Sequence, residues 1–278
     1  MDIKIFDGCF KHLTSPSCLQ GYDPPKSITW YRGQEHRDIT VYTDHFLPSA
    51  HLDNNDSKIK IAWLIEPFTI NTRGYSAVEV NHGYYDYIIS HDQRFLSRFP
   101  QEKRVFCPAS GSSLYGHEWQ IYPKDKMVLT VVGDKKRSVG HRLRYEVAAK
   151  LGHRMDVVGR GFNYFPPDMR AETYAPYRYQ VAIHNTPVGD YWSDILLDCF
   201  ATGTVPIIWG SHYLKKYFDM KGIICWDTIE QLERILEEIS EGDYNAREVA
   251  IRTNHEVAKR DYKVVEDFLY KTFFKNFE

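Results

Sequence analysis

Apolar and polar residues alternate along the chain in blocks of strand and helix length. In the first half, short apolar runs rich in β-branched residues predict strands at 2–6, 38–42, 59–65 and 85–90. In the second half, apolar runs of similar length predict strands at 127–132, 155–159, 179–184, 205–209 and 222–226. Between and after these runs, apolar residues recur at helical spacing, which predicts helices at 138–151, 192–201, 229–239 and 245–273.

Strands that alternate with helices indicate parallel sheets with right-handed crossovers. The small, polar and aromatic segment 108–122 has no periodicity, so we interpret it as the connection between two halves. The sequence therefore predicts an α/β fold of two Rossmann-like lobes with a cleft between them. The predicted boundaries are 1–115 for the first lobe, 116–260 for the second, and 261–278 for a C-terminal helix that packs back on the first lobe.

Polar residues follow two predicted strands within the block 182–210, AIHNTPVGDYWSDILLDCFATGTVPIIWG. One strand ends at His184 and Asn185, and the next helix begins near Trp192. Parallel sheets bind ligands at the carboxyl ends of their strands, where free backbone N–H groups at helix starts favour anions. Asp194 in the first helical turn either accepts hydrogen bonds from ribose hydroxyls or stabilises the helix N-terminus.

A basic run, GDKKRSVGHRLR, leads from a predicted strand into the following helix at 133–144. Its arginines Arg142 and Arg144 are the main candidates for a phosphate contact, because the guanidinium group matches phosphate geometry. Lys136 in this run and Arg160 after the next strand are secondary candidates, with a solvated basic loop as the alternative. The run lacks the GK[ST] of a P-loop.

Carboxylates and a histidine follow two strands of the first half. Glu66 ends the run WLIEP and is our candidate for a general base, with a turn carboxylate paired with Arg73 as the alternative. His91 and Asp92 follow the next strand. Asp92 either orients His91 or caps the following helix.

Composition narrows the class of protein. The formal net charge of −2 gives no global attraction to nucleic acid or anionic membranes, although a local basic patch remains possible. Five widely spaced cysteines and a charged N-terminus without an apolar core predict a soluble cytoplasmic protein, in the host cytoplasm if it is viral, without a membrane anchor. The sequence has no Asp-x-Asp triplet, and no histidine pair has zinc-ligand spacing together with a third ligand, so no metal cofactor is predicted.

The block 182–210 resembles the donor-binding motif of the α-1,3-fucosyltransferase family, approximately F-E-N-S, Y-x-T-E-K and G-A-V-P-V. The matching segments are IHNT at 183–186, YWSDI at 191–195 and GTVPI at 203–207. Three positions depart from that motif. His184 replaces its first Glu, Asp194 its ribose-binding Glu, and Ile195 its phosphate-binding Lys.

The resemblance implies the two-lobed GT-B fold, in which the first lobe receives the acceptor and the second binds a nucleotide sugar without a metal. It implies an inverting transfer of a sugar, with Glu66 as the base that deprotonates the acceptor hydroxyl and His91 and Asp92 on the acceptor side. The donor side would consist of Arg142, Arg144, Asn185, Asp194, Arg160 and Lys136. The missing Lys leaves the donor sugar and its nucleotide open.

Three interpretations of the acceptor and the activity remain at this point. The acceptor is a glycan, or it is a hydroxymethylated pyrimidine in DNA, as for some short phage enzymes. In the third interpretation the chain is a non-catalytic module that binds a glycan or a nucleotide. The basic stretch 124–160 is compatible with DNA, whereas the negative net charge argues against it.

Overall fold

The computed structural model describes residues 1–7, 23–54, 56–166, 169–210 and 213–278. Contacts divide the described chain into two compact units. The first lobe comprises 1–7, Asp23–Gly111 and Val264–Glu278, and the second lobe comprises Ser112–Lys263. The sequence placed these two divisions after residues 115 and 260.

Each lobe is built on one parallel β-sheet. In the first lobe the strands are β1 (Asp2–Phe6), β2 (Thr29–Tyr31), β3 (Ile39–Thr43), β4 (Ile59–Leu64), β5 (Tyr87–Ser90) and β6 (Arg104–Phe106), in the order β2-β1-β3-β4-β5-β6. In the second lobe they are β7 (Lys126–Val131), β8 (Asp156–Val158), β9 (Tyr177–Ile183), β10 (Val205–Trp209) and β11 (Ile224–Trp226), in the order β11-β10-β9-β7-β8. Every strand pair is parallel. The α/β prediction with two Rossmann-like units is therefore confirmed.

Helices follow the strands in both lobes, and several of them connect successive parallel strands. They are α1 (Thr72–Asn81), α2 (Gln93–Leu96), α3 (Val139–Leu151), α4 (Arg170–Tyr174), α5 (Asp194–Thr202), α6 (Ile229–Glu238), α7 (Glu241–Ala246), α8 (Glu248–Val257) and α9 (Val265–Thr272). Gly203 ends α5 with φ = 74°, a left-handed conformation that glycine adopts without a steric penalty.

Buried apolar side chains from both faces of each sheet form the cores. In the first lobe, strand residues such as Val41, Ile61 and Ile89 are fully buried, and Leu269 of α9 packs in the same cluster. The register that pairs Val41 with Ile61 aligns these apolar positions across β3 and β4. The C-terminal segment is therefore part of the first lobe's core, because α9 supplies one of its covering layers.

The structure differs from the predicted elements in several places. The strands Thr29–Tyr31 and Arg104–Phe106 were not predicted, because each has three residues and lies at an edge of the sheet, where the apolar pattern is weak. The helix predicted over 245–273 is interrupted, since α8 runs into a π-helical turn at Ala258–Tyr262 and α9 starts only at Val265. The last strand of the second lobe is shorter than the predicted 222–226.

Some predictions concern residues outside the described part of the chain. Two of the five cysteines, Cys9 and Cys18, lie there. The described cysteines are unpaired thiols. Within the described ranges, no helix is long and apolar enough to cross a membrane.

Candidate functional site

The start of α3 lies against the carboxyl end of β9 in the second lobe. The amide of Gly140 donates to the carbonyl oxygen of Asn185 at 3.2 Å. A Cβ atom at position 140 would collide with the carbonyl oxygen of His184, so only glycine permits this approach. The N-terminal turn of α3, capped by the Ser138 side chain, is thereby placed beside the strand end that carries the predicted donor residues.

Arg144 organises this strand end from within the lobe. Its Nε donates to the carbonyl oxygen of Ile183 at 2.9 Å, and its Nη2 donates to Oδ1 of Asn185 at 3.1 Å. The Asn185 amide in turn donates to the hydroxyl of Tyr191 at 3.3 Å. Burial lowers the pKa of Arg144 from its ordinary value, although the guanidinium remains charged. Arg144 thus fixes the orientation of Asn185 and brings a positive charge to the strand end.

Arg142 lies two residues earlier on α3 and has a different environment. It is exposed, and its Nη1 makes only long contacts of 3.4 Å with the carbonyl oxygens of Lys136 and Arg137. Lys136 is also exposed, with its ammonium 4.7 Å from the centre of the Tyr145 ring. Of the two predicted arginines, Arg142 has the guanidinium that solvent can reach.

Arg160 follows β8 and is engaged by a neighbouring carboxylate. Its Nη1 donates to Asp134 at 2.6 Å, and both side chains are more than half exposed. Such an exposed pair is screened by solvent. To bind a phosphate, Arg160 would have to leave Asp134 or to contact the phosphate while it remains paired with Asp134.

His184 occupies the position of the family's first Glu and is completely buried. The amide of Ser193 donates to its Nδ1 at 3.2 Å, so the neutral ring carries its proton on Nε2. Burial and the nearby charge of Arg144 lower the pKa of His184 to about 3. The strand end therefore has a neutral imidazole where the resembled motif has a carboxylate.

Asp194 begins α5 and forms an ion pair that the sequence did not predict. Its Oδ2 accepts a hydrogen bond from Nη1 of Arg170 at 3.1 Å, and Arg170 also lies 3.8 Å from Asp198, one turn further along α5. Asp198 is buried and accepts hydrogen bonds from the side chains of Ser112 and Ser113. The Asp-x-x-x-Asp spacing, which places both carboxylates on one helix face, is the signal that could have indicated a shared cation.

The first lobe brings together the predicted residues Glu66, His91 and Asp92 at neighbouring strand ends, because β4 and β5 are paired. Glu66 is half-buried, directly after β4. His91 is buried, and burial lowers its pKa to about 4, so the ring is neutral. Asp92 accepts a hydrogen bond from the amide of Phe95 at 3.0 Å, which is the capping alternative.

Asp44 joins this group and was not predicted as a site residue. It follows β3 and is 2% exposed. Its carboxylate accepts hydrogen bonds from the amides of Ile65 and Glu66 and from the side chain of Asn71. Burial, together with the neighbouring Glu66 carboxylate, raises the pKa of Asp44 to about 7. The only sequence signal is its place after an apolar strand.

A cavity of about 350 Å³ lies elsewhere in the second lobe. Its walls include Lys124 and Arg178, which adjoin the amino ends of β7 and β9. The predicted donor residues lie at the carboxyl ends of these strands, so this cavity is separate from them. In the described part of the chain, no group of three or more His, Cys, Asp or Glu side chains could hold a metal ion.

Two α/β lobes, each built on a sheet of parallel strands, match the GT-B fold of glycosyltransferases. An α1,3-fucosyltransferase solved with GDP is similar, with a TM-score of 0.56 and 13% sequence identity over 90% of this chain and 80% of that one. Anabaena HepE solved with UDP-glucose has a TM-score of 0.62 at 10% identity over 87% of this chain and 79% of that one. TarM has a TM-score of 0.57 at 11% identity over 87% and 55% of the two chains. At these identities the likeness shows the fold alone.

The sequence itself shows the family. The profile of the C-terminal part of glycosyltransferase family 10 (fucosyltransferase) matches residues 121–264, which is more than half of the chain. The chain belongs to this family and is a glycosyltransferase that depends on a nucleotide sugar. No curated protein matches it in a sequence search.

Proposed function

We propose that the protein transfers a sugar from a nucleoside-diphosphate donor to an acceptor hydroxyl, with inversion at the anomeric carbon and without a metal ion. The main observation in support of donor binding by the second lobe is the arrangement at the end of β9, where Arg144 holds Asn185 beside the start of α3. In this assignment the second lobe binds the donor, and the first lobe receives the acceptor.

The leaving diphosphate needs positive charge and hydrogen-bond donors as the glycosidic bond breaks. The N-terminal turn of α3 supplies the positive end of a helix dipole. Arg142 supplies a guanidinium that solvent can reach, and Arg144 a second positive charge nearby. These groups replace the ammonium that is missing at Ile195, and they perform the task that a divalent cation performs in metal-dependent transferases.

His184 supports the same assignment through its charge. A neutral imidazole at this position adds no negative charge to the strand end. The low pKa of His184 keeps it neutral over the physiological range. Asp194 provides the carboxylate for the ribose hydroxyls, and Arg170 then orients it through their ion pair. Lys136 and Arg160, which are exposed, add to the positive field near the phosphates.

Glu66 is the proposed base on the acceptor side. As the acceptor oxygen bonds to the anomeric carbon, its proton moves to the Glu66 carboxylate and the nucleoside diphosphate leaves with the bonding electrons. Glu66 is half-buried directly after β4, which leaves part of its side chain accessible. His91 and Asp92 lie at the next strand end and belong to the acceptor side. His91 is buried and packs beneath it.

A binding and turnover screen tests the proposed function. Similar solved proteins contain GDP or UDP-glucose, so UDP, GDP and CDP are each assayed by thermal shift in the presence of EDTA. A nucleotide at 100 times its dissociation constant should stabilise the protein by about 2.7 kcal/mol. Stabilisation that appears only with added Mg²⁺ or Mn²⁺ would contradict metal independence.

Turnover of the matching nucleotide sugar then separates an enzyme from a binding module. Release of nucleoside diphosphate, with or without an acceptor, supports catalysis, whereas binding without release supports the module. The anomeric configuration of the product, read by NMR, decides inversion. Oligosaccharides and DNA with hydroxymethylated pyrimidines are offered in parallel as acceptors. Transfer to DNA alone would mean that the acceptor is DNA and not a glycan.

A further inference from the structure

Asp44 is a buried carboxylate whose hydrogen bonds all lead to the segment that carries Glu66 and to the helix that follows it. Its Oδ1 accepts from the amide of Ile65 at 3.0 Å and from the side chain of Asn71 at 2.9 Å. Its Oδ2 accepts from the amide of Glu66 at 3.1 Å. These bonds hold the turn after β4 to the end of β3.

Asn71 extends this connection to α1. Its side-chain oxygen accepts a hydrogen bond from the amide of Gly74 at 3.0 Å, which caps the helix, while its amide group donates to Asp44. A displacement of Glu66 along the main chain would leave buried polar groups without partners, which is costly. The position of the Glu66 backbone is therefore set by Asp44.

Three titratable groups near Glu66 are acidic or neutral. Burial and the Glu66 charge raise the pKa of Asp44 to about 7. Tyr75 of α1 is buried, and burial raises its pKa above the ordinary value, with Asp92, Asp44 and Glu66 adding to the shift. His91, after β5, is neutral because burial lowers its pKa to about 4.

The neighbouring strand end on the other side contributes little free charge. Asp7 follows β1, which pairs with β3, and both of its carboxylate oxygens accept hydrogen bonds from Arg32, at 2.7 and 2.8 Å. The pKa of the Asp44 carboxyl is thus raised by burial and by Glu66, and its own hydrogen bonds oppose this shift. Because the interaction between two charges is mutual, an ionised Asp44 also acts on the Glu66 carboxyl group.

We propose, on the basis that Glu66 is the base of the transfer proposed above, that Asp44 is a positioning residue for Glu66. It fixes the main chain that carries Glu66 and, when ionised, raises the proton affinity of the Glu66 carboxylate. A base of higher proton affinity takes the acceptor proton more readily. The rate of transfer then rises with pH as Asp44 loses its proton.

Two variants and a matched control test this role. Asp44→Asn keeps the shape and removes the charge and the acceptor for the Glu66 amide. Asp44→Ser is the second variant in case the first fails to fold. Asp86→Asn is the control, because the exposed Asp86 also accepts a hydrogen bond from a backbone amide of β4, that of Lys60 at 2.8 Å, at the opposite end of the strand.

The first readout does not need activity. In protein labelled with ¹³C-glutamate, the Glu66 carboxyl resonance is assigned by its absence in Glu66→Gln and followed from pH 3 to pH 9. We expect two steps in the unmodified protein, the second near pH 7 as Asp44 ionises. We expect one step near the ordinary glutamate value of about 4.3 in Asp44→Asn, and two steps in Asp86→Asn.

The second readout is the pH dependence of kcat. We expect kcat to rise about tenfold between pH 6 and pH 8 in the unmodified protein and in Asp86→Asn, and less than about twofold in both Asp44 variants. Nucleotide affinity should stay within about twofold in all of them. A purely structural role would lower kcat equally at every pH.

The outcomes separate the role of Asp44 from that of Glu66. If the second step of the Glu66 resonance persists in the Asp44 variants, or their pH profiles keep the shape of the unmodified protein's, Asp44 does not act on Glu66, and the base assignment stands. If Glu66→Gln turns over normally, the base assignment is wrong, and a positioning role for Asp44 falls with it even where the resonance changes.

Discussion

The two lobes share a topology but differ in the chemistry at the carboxyl ends of their strands. In the first lobe these ends carry acids, with Asp44, Glu66 and Asp92 after three successive strands of the sheet. In the second lobe Asn185 follows β9, and the half-buried guanidinium of Arg144 from α3 contacts it. The carboxyl ends of the strands in a parallel α/β sheet can thus carry acidic groups in one lobe and lie beside a cation in the other.

The difference matches the two demands of a sugar transfer. Removal of a proton from an acceptor needs a carboxylate, and release of a diphosphate needs positive charge. The buried histidines follow the same division. His91 lies beside the carboxylate Asp92, whereas His184 lies near the cation Arg144. Both histidines are neutral, because burial is the largest contribution to their lowered pKa values. The predictions below test whether the two strand ends act separately.

The largest expected effect is on the acidic side. Glu66→Gln keeps the shape of the side chain and removes its ability to accept a proton. We expect turnover to fall at least about a hundredfold, because general-base catalysis contributes about 10²–10⁴-fold. Nucleotide affinity, measured by isothermal titration calorimetry, should change by less than about threefold. A parallel loss of nucleotide binding would mean that the acidic cluster is not independent of the donor side.

The next effect is on the basic side. We expect Arg142→Ala combined with Arg144→Ala to weaken nucleoside-diphosphate binding at least tenfold, since charge-assisted hydrogen bonds contribute roughly 1.5–3 kcal/mol each. The single variants sharpen this prediction. Arg142→Ala should lower affinity with little change in Tm, whereas Arg144→Ala should lower both, because Arg144 also holds Ile183 and Asn185. Unchanged affinity in the double variant would remove both residues from the donor site.

The predictions from sequence were accurate where a long periodic pattern determines structure. The strand 205–209 has the predicted bounds, and α3 and α5 lie within two residues of theirs, because a cap at Ser138 and a stop at Gly203 mark their ends. The location of Glu66 after a strand followed from the same pattern.

Pairings over long sequence distances could not be predicted in this way. The contact of Arg170 with Asp194 joins residues 24 apart, and that of Asp44 with Glu66 joins residues 22 apart. Both depend on which strands and helices are neighbours, and a single sequence does not encode that order in a local pattern. The resemblance to a known motif indicated candidate donor residues but gave no indication of Asp44.

A third prediction concerns acid stability, and it depends on the neutral His184 of the second lobe. Its pKa is about 3 in the folded state and 6.5 ordinarily, so the unfolded state binds more protons between these values. Stability is therefore full above about pH 6.5 and falls as the pH drops toward 3. We expect His184 to account for about 2 kcal/mol of the stability lost between pH 7 and pH 5.

The test compares urea denaturation at the two pH values in His184→Gln and in the exposed control His153→Gln. The loss between pH 7 and pH 5 should be smaller in His184→Gln than in the unmodified protein and unchanged in the control. Equal losses in all three proteins would mean that folding does not lower the pKa of His184, and that the ring becomes charged in the folded protein as the pH falls to 5.

The smallest effect is expected at the edge of the basic strand end, where Arg160 meets Asp134. This ion pair is exposed on both sides, and solvent screens it. Arg160→Gln should weaken nucleotide binding less than about threefold at low salt and not measurably at 0.5 M NaCl, since screening shortens the range of the charge to a few ångströms. The measurement is calorimetric titration at both ionic strengths, with Arg154→Gln as the control, because Arg154 forms an ion pair with Glu237 on the same lobe. A loss of tenfold or more that persists in high salt would show a direct phosphate contact by Arg160, and the donor side would then extend from the end of β9 to the end of β8.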